Sequence, residues 1–327
     1  MLDALKSWWA KLPTLASQRR LALILLISQG AITVTGSIVR VTGSGLGCDG
    51  WPNCHPGSLV PVPGAAPIVQ QFVEFGNRLL TFVLAAVALL VALSVHRARR
   101  RDEILIYAWI SGLGIIAQAV IGGISVHLDL KWWAVALHFL PSMILVWVAA
   151  LLFMRINEPD DARPARIFPH NIRVIALIAA IALAFVLVTG TMVTGSGPHS
   201  GDAGIGMEGR LEVNTRIMAY IHAFCMYCYL GLTVVTAFLL RRASAPQPAQ
   251  RAVQVLIGLI VVQWAIGVAQ FHLGVPRWTV PVHIGMSSVV TTFTAFLWVQ
   301  GYRRPRETRA PHTHSVAGDR SLLKPLS

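Results

Sequence analysis

The chain has 327 residues, of which 55% are hydrophobic and only 13% are charged, and its formal net charge is +13. Because soluble domains contain about 25% charged residues, this composition excludes an ordinary soluble protein. A basic excess often indicates nucleic-acid binding, but no separate basic domain exists here, and we expect no nucleic acid as a partner. The positive charge is better explained by its position relative to the apolar segments.

Eight apolar runs follow one another, each long enough to supply the roughly 20 residues that cross a bilayer core. In chain order they are residues 21–40, 71–95, 104–126, 133–154, 172–194, 214–240, 252–273 and 278–300. The first run lacks an early small-residue cleavage pattern, so we expect it to persist as a span rather than to be removed as a signal peptide. The predicted fold class is an all-α polytopic membrane protein with eight transmembrane helices, surrounded by membrane lipid.

Basic residues concentrate in alternate connections between these runs. They lie before run 1 and after runs 2, 4, 6 and 8, and they include Arg19, Arg20, Arg97, Arg99, Arg100, Arg101, Arg155, Arg163, Arg166, Arg241, Arg242, Arg251, Arg303, Arg304, Arg306 and Arg309. Because Lys and Arg accumulate in cytoplasmic loops, this pattern predicts a multi-pass protein of the cell membrane with both termini in the cytoplasm.

Two pairs of cysteines occur in different surroundings. Cys48 and Cys54 lie in the first outward loop, in CDGWPNC, where an oxidising exterior permits a disulfide. We favour a disulfide over two free thiols or a redox-active pair, and its structural or redox role stays open. Cys225 and Cys228 lie inside apolar run 6, and we expect both to be buried packing thiols.

The chain contains an internal duplication. QAVIGGISVHLDLKWWAVALH, from Gln118 to His138, matches QWAIGVAQFHLGVPRWTVPVH, from Gln263 to His283, without a gap and at a shift of 145 residues. VTGSIVRVTGSG at 34–45 likewise resembles VTGTMVTGSG at 188–197. Each copy has an even number of spans, so both copies have the same orientation, related by an axis along the membrane normal. The repeat predicts two four-helix bundles side by side.

The duplication also predicts how the chain divides. We expect a cytoplasmic N-terminal segment at 1–20, a first four-helix bundle at 21–155, a cytoplasmic linker at 156–171, a second four-helix bundle at 172–302, and a basic, disordered tail at 303–327.

Three histidines lie inside the apolar runs at a similar depth. His138 and His283 are about five residues inside runs 4 and 8, and His222 is about eight residues inside run 6, which places all three roughly 8–12 Å from the outer helix ends. Buried ionisable groups in spans are usually functional. Two facing imidazoles suit a six-coordinate heme iron, whereas zinc would need further ligands. We interpret His222 and His283 as heme ligands, and His138 either as a ligand or as a satisfied core residue.

The two copies differ at the positions next to these histidines. The first-copy equivalent of His222 is Asn77, and Glu74 lies three residues before it on nearly one helical face, where the second copy has Ala219. The second half therefore resembles a saturated electron-transfer heme. The first half resembles a site with an open iron position, or with a bound heme-like substrate beside an acid.

Several cations and histidines lie at the outer helix ends. Arg78 and Arg216 belong to this group, together with Arg277, Lys131, His127 and His272. Such groups bind heme propionates through charge-assisted hydrogen bonds, or they extend to lipid headgroups. Both interpretations remain open at this point.

A set of motifs resembles the heme A synthase family over nearly all of residues 21–300. The motifs are VTGSGLGCDGWPNC, VEFGNR, the QxxIGG segment leading to His138, VTGSGPHSGD, YIH at 220–222, and the segment ending in His283. The resemblance implies an oxidoreductase that acts on CH or CH2 groups and converts heme O to heme A for cytochrome oxidase. One porphyrin methyl would become a formyl group through two hydroxylations and loss of water from a geminal diol.

The resemblance also implies roles for individual residues. Heme b would be a cofactor held by His222 and His283, and substrate heme O would lie near His138 and Glu74. Heme O would come from the farnesyl-transferring heme O synthase. The implied electron donor is of unidentified kind, and assembly into a homo-oligomer is compatible with the sequence. Glu74 would accept a proton or stabilise a cation.

The chain departs from the family pattern at two places. Many members have a histidine where this chain has Asn77, which argues against bis-histidine ligation in the first half. Some members have a second cysteine pair after run 5, and residues 195–213 contain no cysteine. Redox roles of that second pair therefore do not transfer to this chain.

Two other functions fit part of the pattern. A bis-histidine b-type cytochrome would pass electrons without acting on heme, but it would be expected to keep both halves saturated. A transporter would fit the duplicated bundles, and broken helices or paired intramembrane charges would favour it. Glu74 in only one half favours a substrate site there.

Overall fold

The computed structural model describes residues 12–199 and 209–304. Within them the chain forms eight long helices and one short strand pair. The helices are α1 (Leu15–Val41), α2 (Ile68–Arg97), α3 (Asp102–His127), α4 (Trp132–Arg155), α5 (His170–Ser196), α6 (Thr215–Arg242), α7 (Gln247–His272) and α8 (Thr279–Gln300), and strands β1 (Ala165–Arg166) and β2 (Tyr302–Arg303) pair in antiparallel fashion. Apart from 303 and 304, the predicted tail lies outside the described residues, as do residues 1–11 of the N-terminal segment.

All eight helices are long and apolar enough to cross a membrane, so the predicted fold class is confirmed. Each predicted run lies within one helix, apart from at most one residue at an end, and most helices extend beyond the run by one or more residues. Thr14 begins α1 by accepting a hydrogen bond from the Ser17 N–H, and Asn214 begins α6 in the same way. These caps provide hydrogen-bond acceptors for backbone N–H groups in the first turn of each helix. The chain is thus an all-helical polytopic membrane protein.

The buried apolar residues form two clusters that follow the duplication. One cluster comes from α1 to α4 with a single residue of α8, and the other from α5 to α8 with neighbouring connections. Helices α4 and α8 run unbroken through Pro141 and Pro281. The broken helices that would favour a transporter are therefore absent from the described residues.

The backbone repeats in the turns as well as in the helices. Arg99 and Ser244, which are 145 positions apart, both have φ of 48°. Leu130 and Val275 are also 145 apart, with φ of 53° and 59°. A left-handed conformation is uncommon in residues other than glycine, so its recurrence at both pairs of positions shows that the two halves keep the same turn geometry.

Equivalent residues of the two halves meet between the bundles. Met143 of α4 and Ser288 of α8 are 145 positions apart, and the Ser288 hydroxyl lies 3.7 Å from the Met143 sulfur. The same hydroxyl lies 2.9 Å from the Thr33 hydroxyl of α1. A residue that contacts its own repeat partner lies near the axis relating the halves, as expected for two bundles with the same orientation.

The helix faces that the rest of the protein does not cover are apolar too. Phe82 and Phe224 are among many large hydrophobic residues that the rest of the protein does not cover. Cys225 is half-buried and Cys228 is exposed. The prediction that both thiols pack inside is therefore wrong for Cys228, because an apolar membrane helix is apolar on its lipid face as well as on its buried face.

One end of the bundle carries a network of ion pairs, which we call the arginine cluster. Its members are Arg100, Arg101, Arg155, Arg303, Arg304, Glu103, Glu158 and Asp160. Glu158 is 2% exposed and pairs with Arg101, Arg155 and Arg303 at 3.1–3.4 Å. Burial raises the pKa of Asp160, but hydrogen bonds and charges from Arg100 and Arg101 outweigh burial and hold that pKa below its usual value.

Replacing Glu158 with Gln should destabilise the protein by about 3 kcal/mol, because it leaves buried arginines without their shared anion. The exposed neighbour Asp161, changed to Asn, removes one charge from the same connection and serves as the matched control. The measurement is thermal unfolding of the full chain in detergent. Equal unfolding temperatures for the two variants would show that the network contributes nothing.

Candidate functional site

His222 of α6 and His283 of α8 face each other in the second half. Their ring centres lie 6.4 Å apart, with an angle of 63° between the ring planes. Metal–imidazole bonds are about 2 Å long, so two rings on opposite sides of one metal have centres roughly 6 Å apart. The spacing of this pair therefore fits two axial ligands of one iron.

The hydrogen bonds of His222 leave one nitrogen for a metal. Its Nδ1 lies 3.0 Å from the Val186 carbonyl and 3.2 Å from the Thr189 hydroxyl, both on α5. A carbonyl only accepts, so Nδ1 has the proton and donates it. The lone pair is then on Nε2. A ring N–H held by a backbone carbonyl is the usual arrangement of a metal-ligating histidine.

His283 is held by Gln263 of α7. The Gln263 Nε2 lies 3.2 Å from His283 Nε2 and donates to the His283 carbonyl at 3.1 Å. The other ring nitrogen, Nδ1, is buried without a hydrogen-bond partner. Because the Gln263 amide nitrogen donates to Nε2, the proton of the neutral ring is on Nδ1. The Gln263 Oε1 is buried without a partner too. With the amide turned, Nε2–H would donate to that oxygen and the Nδ1 lone pair would be left for a metal.

The first half repeats this arrangement around His138. In the amide orientation that satisfies its neighbours, Gln118 donates to His138 Nδ1 at 2.7 Å and to the His138 carbonyl at 2.9 Å. At the position equivalent to His222, Asn77 accepts from the Thr35 hydroxyl at 2.7 Å. The same framework thus holds one histidine and one asparagine instead of two histidines.

Three glycines allow neighbouring helices to approach these histidines. A Cβ added at Gly122 would lie 3.2 Å from His138, one at Gly190 would lie 3.2 Å from His222, and one at Gly267 would lie 3.1 Å from His283. Gly36, which is equivalent to Gly190, has nothing within 4 Å of an added Cβ. A side chain at Gly122, Gly190 or Gly267 would therefore press on the histidine ring opposite it, whereas one at Gly36 would meet no neighbour within 4 Å, Asn77 included.

Glu74 lies near the start of α2, where it holds the loop closed by Cys48 and Cys54. These two cysteines form a disulfide. The Glu74 side chain is 7% exposed, and its Oε2 accepts from the Cys48 N–H at 2.7 Å. Arg78, one turn further along, forms an ion pair with Glu74 and donates to the carbonyls of Cys48 and Asn53, each at 3.2 Å. The carboxylate, the guanidinium and the disulfide loop form one unit.

The same loop has a second attachment through His55, which is 5% exposed. Its Nδ1 lies 2.8 Å from an Asp49 oxygen, and its Nε2 lies 2.9 Å from the Gln71 side-chain oxygen. Trp51, in the middle of the loop, packs against Gly123 of α3, where any side chain would collide with the indole. The loop therefore covers the end of the first half at which α2 begins and α3 ends.

Other residues with predicted roles lie at this same end of the helices. Arg216 is exposed in the first turn of α6, and His272 is exposed at the end of α7. His127 is exposed and its Nε2 lies 3.2 Å from the Trp51 carbonyl. Roles in binding propionates stay predictions for Arg78 and Arg216.

The glutamines and glycines that contact the histidines had no role predicted from the sequence. Gln118 and Gln263 align at the shift of 145, as do Gly122 and Gly267. Their recurrence beside the histidines was the signal available, but a repeat alone does not show which aligned residues touch. Among the described residues no cluster of three or more His, Cys, Asp or Glu side chains forms a metal site, which does not favour zinc.

Fold and site together define a class of protein, a duplicated eight-helix membrane protein with a facing histidine pair in its second half. A family model described as COX15-CtaA, Cytochrome oxidase assembly protein, matches residues 19–295. The chain belongs to this family.

The chain is similar to several proteins named heme A synthase. That of Rhizobium leguminosarum bv. trifolii is 24% identical over 352 residues, with 90% of each chain covered. That of Lysinibacillus sphaericus is 32% identical over 131 residues, or 39% of this chain and 41% of the relative. That of an Exiguobacterium species is 27% identical over 172 residues, or 52% and 53%. In the last two matches the chain spans about half of the relative's length or less.

Replacing Arg78 with Gln should loosen the disulfide loop, because the change removes the ion pair to Glu74 and the hydrogen bonds to two loop carbonyls. A loss of about 1.4 kcal/mol would speed opening of the loop roughly tenfold. The measurement is the rate at which Cys48 and Cys54 react with a maleimide under limiting reductant.

Two controls make the maleimide labelling specific for the loop cysteines and for Arg78. The free thiols Cys225 and Cys228 are changed to Ser in every sample, so that only the loop cysteines react. Arg216, which is exposed and lies outside the loop, is changed to Gln as the matched control. Labelling at the same rate in both variants would show that Arg78 does not restrain the loop.

Proposed function

We propose that this protein is a heme A synthase that oxidises one methyl group of heme O to a formyl group by successive hydroxylations. The observation that carries the proposal is an asymmetry within a shared framework. In both halves a glutamine contacts a ring nitrogen and the carbonyl of a histidine, but only the first half has Glu74 and only the second has a second histidine, His222, facing the first. The names of the relatives support the same substrate and product.

The second half, residues 172–302, would hold heme b between His222 and His283. The ring spacing, the Val186 carbonyl on His222 and the orphaned nitrogen of His283 fit this group. When bound, heme b supplies one-electron transfer. The residues of this half exclude water and keep both rings in place, with Gly190 and Gly267 allowing the close approach of the helices.

The first half, residues 21–155, would bind heme O, with His138 as the ligand to the substrate iron. Gln118 would then turn its amide oxygen to accept from the His138 Nδ1–H, which leaves the Nε2 lone pair for the iron. Asn77 offers an amide in place of a second imidazole, and the Thr35 hydroxyl donates to its oxygen. A neutral amide binds iron far less well than an imidazole, so the face of the porphyrin next to Asn77 is left accessible. The farnesyl tail would lie against the apolar helices.

Glu74 would act in proton handling near the reacting methyl group, as a proton acceptor or by stabilising positive charge. Its ion pair with Arg78 and its contact with the Cys48 N–H hold the carboxylate in place. Arg78 and Arg216 would also meet the propionates. Motion of the disulfide loop would then change the partners of Glu74.

The cellular arrangement is part of the proposal. The arginine cluster would face the cytoplasm together with both termini, and the disulfide loop would face outward from the cell membrane. A farnesyl-transferring heme O synthase would supply the substrate, and a separate donor would supply electrons to heme b.

Replacing Glu74 with Gln should abolish heme A formation and leave heme b bound, because Gln keeps an oxygen for the Cys48 N–H but has no charge and binds no proton near neutral pH. The measurement is chromatography of extracted hemes from protein made with and without a heme O source, together with reduced-minus-oxidised spectra. Glu212, an exposed carboxylate at the same end, is changed to Gln as the control.

Each result of this experiment decides something. Heme A formation by the Glu74 variant would rule out the proposed role of the carboxylate. Wild-type protein that holds heme b alone, whatever the heme O supply, would favour an electron-transfer cytochrome. Wild-type protein without any heme would contradict the histidine argument from its first step.

Replacing Gly267 with Ala should weaken heme b binding, because the new methyl group would press on the His283 ring from 3.1 Å. A displacement costing about 1.4 kcal/mol lowers affinity tenfold. Gly258 lies on the same helix with nothing within 4 Å of an added Cβ, so its change to Ala is the matched control. Heme b retention on dilution, followed by absorbance, distinguishes the two variants, and equal retention would remove Gly267 from the site.

A further inference from the structure

A cavity of about 230 Å³ lies at the arginine-rich end, between the two halves of the protein. Glu103, Tyr107, Arg155, Arg173 and Trp298 are among the residues that line it. Arg155 lies 17 residues beyond His138 on α4, a distance of about 25 Å along the helix. The cavity is therefore separate from both histidine sites.

Arg173 lines this cavity without an anionic partner. The residue is half-buried in the first turn of α5, and its side chain makes no ion pair or hydrogen bond within residues 12–199 and 209–304, although its backbone N–H donates to the Pro169 carbonyl. Its guanidinium lies 5.7 Å from the centre of the Tyr302 ring. A cation partly removed from water next to apolar helices is costly unless an anion or a polar group compensates it.

Arg155 offers a second unused donor. Its side chain is 8% exposed, and its Nε is buried without a hydrogen bond. Glu103 Oε1 lies only 3.3 Å from that nitrogen, but the N–H does not point at it, so the contact is an ion pair without a hydrogen bond. Two arginines on different helices thus have unsatisfied donors at one cavity.

The surrounding charge favours an anion. With Arg173 added, the arginine cluster contains six arginines and three carboxylates, which leaves a surplus of three positive charges. Helix α5 also begins beside the cavity at His170, without a side-chain cap for its first N–H groups. Helix N-termini attract anions through these groups.

We propose that this cavity binds the phosphate group of an acidic phospholipid, with Arg173 and Arg155 as its donors. The cavity lies where α3 and α5 begin and α4 and α8 end, which is the headgroup depth of a bilayer. Its volume corresponds to roughly seven water molecules of liquid, which is enough for a phosphate and its first linking atoms. Trp298 and Tyr107 line the apolar side, as aromatic residues do at membrane interfaces.

The test measures lipid binding by the full chain in a non-ionic detergent, with native mass spectrometry. Wild-type protein should retain one phosphatidylglycerol at concentrations where phosphatidylcholine is lost. Changing Arg173 to Gln should lower that affinity at least tenfold. The matched control changes Arg163, an exposed arginine outside the cavity, to Gln and should stay within twofold of wild type.

Because Arg173 makes no ion pair, its replacement should leave the fold intact, and thermal unfolding of the same samples checks this. A second variant changes Ala176, which also lines the cavity, to Leu and fills space without altering any charge. It should weaken phosphatidylglycerol binding as well. Unchanged binding in the Arg173 variant, or equal losses in the Arg163 control, would overturn the proposal.

Competition with inorganic phosphate distinguishes a site for free phosphate from a site for the phosphate group of a phospholipid. Displacement of phosphatidylglycerol from wild type by millimolar phosphate would assign the site to phosphate groups in general. Retention of the lipid at those concentrations would assign it to phospholipid, with the acyl chains contributing. Equal affinity of wild type for phosphatidylglycerol and phosphatidylcholine would exclude an anion site.

Discussion

A histidine inside an apolar helical bundle needs a partner for each ring nitrogen, and the interior of this protein depends on that constraint. Gln118 and Gln263 each hold a histidine by a ring nitrogen and by its carbonyl, and a backbone carbonyl holds His222. Water is absent from a bilayer core, so such contacts have to come from the protein. The orphaned nitrogen of His283 is the exception, and it lies where a ligand is proposed.

Duplication explains the shared backbone of the two halves. Divergence of a few side chains explains why one half is proposed to bind the cofactor and the other the substrate. The recurrence of left-handed residues at Arg99 and Ser244 shows that the backbone of both halves has been kept. The side chains at one level have changed, with Asn77 in one half and His222 in the other. Glu74 and the disulfide loop occur only in the first half among the described residues. A cofactor site and a substrate site can therefore share one framework.

The disulfide loop lies over the site proposed for the substrate in the first half. It is held by Glu74 and Arg78 on α2, by His55 on Gln71, and by Trp51 against Gly123 of α3. Since the same carboxylate is proposed to handle protons, its restraint of the loop ties access to the first site to the state of Glu74. At the opposite end of the helices, the buried Glu158 of the arginine cluster likewise joins Arg101, Arg155 and Arg303.

The sequence by itself determined the eight helices and the duplication, because apolar length and a shift of 145 residues are local or periodic properties, and it favoured the disulfide between Cys48 and Cys54. Only the tertiary structure decided that Glu74 binds the Cys48 N–H, that glycines face the histidines, and that Arg173 lines a cavity. These contacts join residues far apart in the chain, and no period relates them. The exposed Cys228 shows the same limit, since a span in lipid is apolar on every face, and only packing distinguishes the buried one.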